Sequence, residues 1–335
     1  MAKFLPVLFY SQLFVKIPEL HSDFSDQTVI VTGSNTGLGL EAARHLVRLK
    51  AAKVILAVRT ISKGEAAVEN ILRTTGAKKN TIEVWQLDLS SPESIKAFAK
   101  RASDLDRLDA VIQNAGVLTQ NWSIAEETKT ESHIAVNLIG ALLLGLLLLP
   151  KLRETGKKYD TRTRLSFVGS DIMYIAKIKE ANVPGSLLDA LNDKEGSDLG
   201  DRYGVSKQLL FYAVHEIAAR SPVSPESNVI INVMTPGACE SDLFRDDISW
   251  IGKLVQRIAI TLFARTTEVG GRTLVDAVKP ELGTDAHGAF LMDCKVARNG
   301  SNMETTQGLA LQKRSNEDLF AKLEELSPGV TKVLN

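Results

Sequence analysis

TVIVTGSNTGLG, residues 28–39, is the stretch of sequence that decides the fold. Its first five residues are all β-branched, which is typical of a buried strand, and Gly33, Gly37 and Gly39 follow before a helical pattern begins at Leu40. Glycine allows a tight turn and the close approach of a ligand, and the unpaired N–H groups at a helix start attract anions. The stretch therefore predicts a strand, a turn and a helix that together could hold an anion such as a dinucleotide pyrophosphate.

The glycine spacing, G-x-x-x-G-x-G, differs from the G-x-G-x-x-G of the common dinucleotide fingerprint, and taken alone it could be an ordinary turn. The rest of the chain repeats the strand-to-helix pattern. Further strands are predicted at 53–58, 82–87, 108–113, 165–168 and 229–234, with helices between them. Such alternation predicts a doubly wound parallel α/β sheet, covered by helices on both faces, with its ligand site at the carboxyl ends of the strands.

The composition favours small-molecule chemistry. The 335 residues are 44% hydrophobic and 24% charged, and forty basic side chains balance forty acidic ones. Because no charge of one sign predominates, the chain is not expected to bind nucleic acid. Its two cysteines, Cys239 and Cys294, are too few for a disulfide framework and lie in no metal-binding pattern, which favours a reducing compartment, the cytoplasm, and no metal.

Two apolar stretches raise the question of a membrane. The N-terminal arm, residues 1–24, could be an amphipathic anchor, but we favour an arm that packs Phe4, Leu8, Phe9 and Phe14 onto the body. The run IGALLLGLLLL, residues 139–149, is too short to span a bilayer, which takes roughly 20 residues. It predicts a helix buried in the core or in a subunit interface, so a homodimer is possible and membrane association is not expected.

Tyr203 and Lys207 lie four residues apart and therefore share one face of the helix predicted to start there. An ammonium group so placed would stabilise the phenolate, lower the tyrosine pKa and suit the phenol to proton exchange with a carbonyl or an alcohol. The pair alone is weak evidence, because Tyr and Lys often occur at this spacing on helix surfaces.

The signal becomes specific when the motifs are taken together. In chain order they are TGSNTGLG, Asn114-Ala115-Gly116, Asn137, Ser170, Tyr203-x-x-x-Lys207 and Pro236-Gly237. On these motifs, residues 25–295 resemble the short-chain dehydrogenase/reductase family. The resemblance implies a single Rossmann-fold catalytic domain.

The resemblance also implies roles for individual residues. Tyr203 would be the general acid or base, Lys207 would bind the nicotinamide ribose, Ser170 would hydrogen-bond the substrate oxygen, and Asn137 would hold a water of a proton relay. Ser241 matches a threonine that the family usually places near the nicotinamide. The implied cofactor-binding residues are Gly33, Ser34, Asn35, Gly37, Leu38, Gly39, Arg59, Lys63, Asp88, Leu89, Asn114, Gly116, Tyr203, Lys207, Pro236, Gly237 and Ser241.

The end of the second predicted strand bears on the choice of cofactor. An acidic residue there would accept hydrogen bonds from a ribose 2′-hydroxyl and repel a 2′-phosphate. The chain instead continues with Arg59, and Lys63 follows four residues later. We therefore expect NADP(H) rather than NAD(H).

The gap between Ser170 and Tyr203 is longer than in the simplest family members, and this resembles the retinol-dehydrogenase-like branch, whose fungal members are often reductases of natural-product pathways. We expect a substrate lid at about 171–201 and 240–265 and a C-terminal helical extension at 296–335. The predicted substrate-pocket residues are Asp171, Met173, Tyr174 and Trp250.

The function predicted from these observations is NADPH-dependent interconversion of a carbonyl and an alcohol on a bulky apolar substrate, for example a polyketide or terpenoid ketone. Two alternatives remain. One is a non-redox cyclase or isomerase that uses NADP(H) as a scaffold, since fold does not fix function. The other is an NADP(H)-binding module without turnover, although an altered tyrosine or lysine would have signalled it.

Overall fold

The computed structural model describes residues 5–240, 264–297 and 304–334. The strands within them are β1 (Thr28–Thr32), β2 (Lys53–Val58), β3 (Ile82–Gln86), β4 (Ala110–Gln113), β5 (Ile124–Ala125), β6 (Thr130–Glu131), β7 (Thr163–Val168), β8 (Val229–Thr235), β9 (Phe290–Met292) and β10 (Lys295–Val296). Eight of these strands form one sheet in the order β10-β9-β8-β7-β4-β1-β2-β3, and a separate hairpin pairs β5 with β6.

The sheet is parallel except at one edge, where β10 runs antiparallel to β9. The chain moves outward from β1 through β2 to β3 and then returns to place β4 on the other side of β1. In open α/β sheets this reversal of strand order creates a crevice at the carboxyl ends, where ligands bind. The predicted doubly wound parallel sheet is confirmed, and the crevice opens between the ends of β1 and β4.

Helices cover both faces of the sheet, which explains why its central strands are apolar on both sides. The described helices are α1 (Leu5–Phe14), α2 (Gly37–Arg48), α3 (Ile61–Thr75), α4 (Pro92–Ser103), α5 (Ala141–Lys158), α6 (Leu187–Leu191), α7 (Leu199–Arg220), α8 (Thr267–Asp276) and α9 (Thr306–Leu326). Helices α2, α3 and α8 contribute to one hydrophobic core, and α4, α5, α7 and α9 contribute to the other.

The apolar run at 139–149 lies in a long buried helix. A π-helical segment, Ile134–Gly140, leads directly into α5, which continues past Pro150 instead of ending there as the sequence suggests. The helix persists because Leu152 and Thr155, beyond the proline, are fully buried and keep its inner face in the core. Ile134–Lys158 is long and apolar enough to cross a membrane, yet 83% of its most apolar window is buried inside the chain. It is a core helix, with little apolar surface left for a subunit interface.

The segments outside the sheet also pack onto it. In the predicted lid, Leu187, Leu188 and Leu191 are buried, and the backbone N–H of Leu187 donates to the carboxylate of Asp318 on α9. This region is therefore part of the packed body. The second predicted lid segment lies almost wholly outside the described residues, and the division of the chain into arm, catalytic domain and extension stays a prediction.

The N-terminal arm contacts the body in a way that the sequence does not suggest. Phe9 is 54% exposed and Phe14 is 71% exposed, so the expected packing through these two side chains is wrong. Ser11 and Ile17 are buried instead, and Ser11 Oγ donates a hydrogen bond of 2.9 Å to Asp293. In the described part of the arm, Ser11 is thus attached through a polar contact, while Ile17 and the fully buried Phe24 supply the apolar contacts.

Candidate active site

Most of the predicted site residues line one cleft, with a volume of about 810 Å³, at the carboxyl edge of the sheet. Those on its wall are Gly33, Asn35, Gly37, Leu38, Arg59, Lys63, Asp88, Leu89, Asn114, Gly116, Ser170, Tyr203, Lys207, Pro236 and Gly237. The predicted residues that do not line it are Ser34, Gly39, Asn137, Asp171, Met173 and Tyr174. Ser241 and Trp250 lie outside the described residues.

The glycine turn between β1 and α2 needs its glycines. Gly33 has φ +64° and Gly37 has φ +57°, in the left-handed region that side chains rarely adopt. A Cβ at Gly39 would lie 2.5 Å from Asn114 Nδ2 and 2.6 Å from the Gly33 carbonyl oxygen. Gly39 therefore packs against the turn and does not line the cleft. Ser34 also faces away from the cleft, because its buried Oγ donates a hydrogen bond to the Val31 carbonyl at 2.8 Å.

The end of β4 is tied to the same turn. Asn114 Nδ2 donates to the carbonyl of Thr32 at 2.9 Å, and the N–H of Ala115 donates to Thr32 Oγ1 at 2.9 Å. These bonds fix the two sides of the strand-order reversal relative to each other. They make the floor of the cleft rigid where a ligand would cross from one half of the sheet to the other.

One end of the cleft is polar and partly positive. Arg59 follows β2 directly, and Arg59 and Lys63 are both exposed on the cleft wall. Asp88 follows the neighbouring strand β3, and its Oδ1 accepts hydrogen bonds from the N–H and the hydroxyl of Ser90, at 2.9 and 2.6 Å. The carboxylate thus orders its own loop, while the two cations remain available to an anionic group.

The reactive groups meet at the other end. Ser170 follows β7 and hydrogen-bonds the half-buried Tyr203 hydroxyl. Lys207 Nζ donates to the Val168 carbonyl at 2.7 Å and lies 5.6 Å from the centroid of the Tyr203 ring. The i, i+4 spacing on α7 therefore brings phenol and ammonium together beside the hydroxyl of Ser170.

The electrostatics of Tyr203 differ from the sequence-based expectation. Burial raises the pKa of Tyr203, the negative charge of Asp171 raises it further, and the hydrogen bond from Ser170 only partly opposes this. Burial also lowers the pKa of Lys207, to about 8, so its ammonium is itself disfavoured. The expected lowering of the Tyr203 pKa is thus wrong for this structure, because burial of the phenol has the largest effect on it.

Asn137 lies just behind the cleft wall, in the π-helical segment. Its Oδ1 accepts from the Val117 N–H at 2.8 Å, and its Nδ2 donates to the Val117 carbonyl at 3.0 Å and to Ser206 Oγ at 3.1 Å. A Cβ at Gly116 would lie 3.0 Å from Asn137 Oδ1 and 3.8 Å from Lys207 Nζ. Gly116 thus leaves room for the Asn137 amide, with the Lys207 ammonium nearby, and the amide itself lies in the π-helical segment.

The predicted substrate-pocket residues are distributed differently from the expectation. Met173 and Tyr174 belong to the hydrophobic core, and the Tyr174 ring packs edge-on against Phe290 at 5.6 Å, so neither is a wall of the described cleft. A 3₁₀ turn, Asp171–Ile175, directs them inward. Asp171 acts on Tyr203 through its charge, and burial raises its own pKa.

Sequence reasoning missed a wall formed by the β5–β6 hairpin and the segment before it, including Thr119, Ser123 and Ile124. A buried pair supports this wall: His133 Nδ1 lies 2.8 Å from Glu131 Oε1, and His133 Nε2 accepts the Thr119 N–H at 3.2 Å. Two-residue strands are too short to leave a periodic signal.

Cys239 also lines the cleft, beside Pro236 and Gly237. Its Sγ lies 3.5 Å from the Pro236 carbonyl oxygen, and burial raises the pKa of the thiol to about 12. The thiol therefore stays protonated and is a wall residue rather than a nucleophile. In the described ranges, no three His, Cys, Asp or Glu side chains come together as metal ligands.

Comparison with known proteins identifies the family. A family model described as short chain dehydrogenase matches residues 27–159. Short chain dehydrogenase/reductase dmxR8 of Cryptosporiopsis sp. is 39% identical over 329 residues, which are 96% of this chain and 98% of the relative. The chain belongs to the short-chain dehydrogenase/reductase family. Short-chain dehydrogenase anuD of Penicillium roqueforti is 36% identical over 97% of this chain and 85% of the relative. The expected resemblance to fungal family members is confirmed.

Solved structures share the fold. An uncharacterized protein from Mycobacterium paratuberculosis superposes with a TM-score of 0.63 at 24% identity, over 91% of this chain and 94% of that one. A short chain dehydrogenase from Burkholderia cenocepacia, in complex with NADP, superposes with a TM-score of 0.56 at 18% identity, over 80% of this chain and 96% of that one. At these identities the likeness establishes the Rossmann-like architecture of this oxidoreductase family member.

Proposed function

We propose that this chain is an NADPH-dependent oxidoreductase that interconverts a carbonyl and an alcohol on a bulky apolar substrate. The observation that carries the proposal is the meeting of Ser170, Tyr203 and Lys207 at one end of a single cleft whose other end holds the glycine turn and two cations. A cleft of this kind can hold an extended dinucleotide with its reactive ring beside the phenol.

The chain's own residues fit the cofactor. The turn with positive φ at Gly33 and Gly37 leaves backbone N–H groups at the start of α2 for a pyrophosphate. Arg59 and Lys63 would hold a 2′-phosphate, and β2 is followed by no acidic residue that would repel it. The Burkholderia structure contains NADP, and a short-chain dehydrogenase from Sphingobium yanoikuyae is in complex with NADPH, which supports the same choice here.

The mechanism follows from the protonation states at the reactive end. Bound NADPH would supply a hydride to the carbonyl carbon. Tyr203, kept neutral by its raised pKa, would donate its proton to the carbonyl oxygen, while Ser170 hydrogen-bonds the same oxygen as negative charge develops. Lys207, fixed by the Val168 carbonyl, would be positioned for the ribose, with Asn137 behind it as part of a proton path.

The proposed substrate class rests on the apolar wall residues. Leu118, Ile124 and Val136 line the cleft together with Val117. Such surfaces gain from burying an apolar substrate, at about 25 cal/mol per Å². A ketone or alcohol from fungal secondary metabolism would suit them, and the fungal origin of the relatives supports this setting.

The test is the loss of reduced-nicotinamide absorbance when the purified protein meets a panel of bulky apolar ketones and aldehydes. The proposal predicts NADPH consumption with at least one carbonyl, much slower consumption with NADH, and the corresponding alcohol as product. A product of unchanged oxidation state would refute the redox assignment. Tight NADPH binding without consumption across the panel would favour a binding module.

A further inference from the structure

The N-terminal helix α1 reaches the reactive end of the cleft although it lies outside the sheet. Gln12 Nε2 donates to the Ala238 carbonyl at 2.7 Å, and the Ala238 N–H donates back to Gln12 Oε1 at 3.1 Å. A side-chain amide that bonds one residue through both its donor and its acceptor imitates a neighbouring strand. The peptide after the Pro236-Gly237 turn is therefore held from α1 as it would be by a sheet.

The geometry of the turn is matched to this contact. Gly237 has φ +75°, and a Cβ there would lie 2.7 Å from Gln12 Oε1. Glycine at this position thus meets two requirements, the left-handed backbone and the close approach of Gln12. Pro236, Gly237 and Cys239 line the cleft, so the contact from α1 is made to Ala238, between two residues of the cleft wall.

A buried guanidinium completes the attachment. Arg265 is 8% exposed and donates to the Pro236 carbonyl at 3.2 Å, to the Ser11 carbonyl at 2.9 Å and to Asp293 Oδ1 at 2.7 Å. Its backbone also pairs with the turn, since the Arg265 N–H donates to the Ala238 carbonyl at 2.9 Å. The Ala238 carbonyl thus accepts hydrogen bonds from both Arg265 and Gln12, and the Ala238 N–H donates to Gln12.

We infer that Gln12 is a positioning residue for the nicotinamide end of the cofactor, and that α1 contributes to the active site through this residue. This inference rests on the proposed function, since it assumes that the cofactor's reactive ring lies against the Pro236-Gly237 turn. Gln12 touches the turn and not the reacting atoms. Its effect should therefore be confined to the half of the cofactor that this turn contacts.

The test compares two probes. NADPH spans the whole cleft, whereas 2′,5′-ADP carries only the adenosine half with its 2′-phosphate and would bind at the Arg59 end. In Gln12→Ala the Kd of NADPH should rise about five- to tenfold, because the turn loses its hydrogen bonds to Gln12 and cofactor binding must then order it. The Kd of 2′,5′-ADP should stay within about twofold, because the glycine turn and Arg59 are untouched.

Two further variants separate hydrogen bonding from packing and from arm docking. Gln12→Met keeps the side-chain length without the hydrogen bonds and should behave like Gln12→Ala. Ser22→Ala removes a different hydrogen bond of the same arm, from Ser22 Oγ to Glu281 at 2.9 Å, whose partners do not line the cleft, and it should bind both probes like the unaltered protein.

Each remaining outcome overturns the inference. Unchanged NADPH binding in Gln12→Ala would show that the contact has no role in positioning. Equal weakening of both probes, or the same loss in Ser22→Ala, would indicate a general structural effect, and normal binding by Gln12→Met would assign the role to packing. If the unaltered protein bound neither probe, the proposed function itself would fail and the inference with it.

Discussion

Replacing Arg59 with aspartate should greatly reduce the preference for NADPH over NADH. Arg59 lies directly after β2, exposed on the cleft wall. Because it is exposed, its hydrogen bond to a 2′-phosphate should be worth only the lower part of the range for charged groups, about 1.5–2 kcal/mol. That loss corresponds to a roughly 10- to 30-fold higher Kd for NADPH. NADH binding should change by no more than about threefold, because an aspartate can accept hydrogen bonds from the ribose hydroxyls.

Titrating the protein with NADPH or with NADH and following nicotinamide fluorescence measures the Kd of each cofactor, and no substrate needs to be known. The matched control is Arg73→Asp, which makes the same charge change at an exposed position on α3 that does not line the cleft. The NADPH affinity of the unaltered protein should also fall with rising ionic strength, since an exposed charge pair is screened by salt. An NADPH Kd in Arg59→Asp within twofold of the unaltered value would refute the assignment of Arg59 to the 2′-phosphate.

Three other outcomes follow from the structure. Gly39→Ala should raise the NADPH Kd at least about tenfold and lower the free energy of unfolding by about 1–3 kcal/mol, since the new methyl would lie 2.5 Å from Asn114 Nδ2. Calorimetry measures the Kd, and denaturant titration measures the free energy of unfolding. Lys207 has a pKa of about 8 when folded and 10.5 ordinarily, so between these values this group binds more protons in the unfolded chain and its contribution to stability rises with pH; in a thermal-unfolding series, the stability of the unaltered protein relative to Lys207→Met should therefore rise across this pH window. Glu180→Gln should lower the free energy of unfolding, measured in urea, by about 3 kcal/mol, because it leaves the buried Arg202 guanidinium without the carboxylate that lies 2.9 Å away. A decrease below about 1 kcal/mol would contradict this.

The sheet and the cleft were predictable from the sequence because their signals are local. A β-branched run before glycines predicts a strand and a turn, and the carboxyl ends of parallel strands must share an edge. Thus Gly33, Asn114 and Ser170, far apart in the chain, were expected together and do line one cleft. The i, i+4 pair of Tyr203 and Lys207 follows from helix geometry in the same way.

The parts that could not be predicted depend on tertiary contacts. Burial, which decides the direction of the Tyr203 pKa, is a property of the fold and not of neighbouring letters. Met173 was expected in the pocket because it follows Ser170 closely, but a 3₁₀ turn directs it into the core. The contact of Gln12 with Ala238 joins residues 226 positions apart and leaves no pattern in the sequence.

The most direct test of the central claim is single-turnover reduction by Tyr203→Phe, measured beside its NADPH affinity on a carbonyl that the unaltered protein reduces. The variant should bind NADPH within about threefold of the unaltered protein and consume it at least about a hundredfold more slowly, because the phenol proton is lost while the cleft stays intact. Consumption at a rate near that of the unaltered protein would contradict the role of Tyr203 as the proton donor.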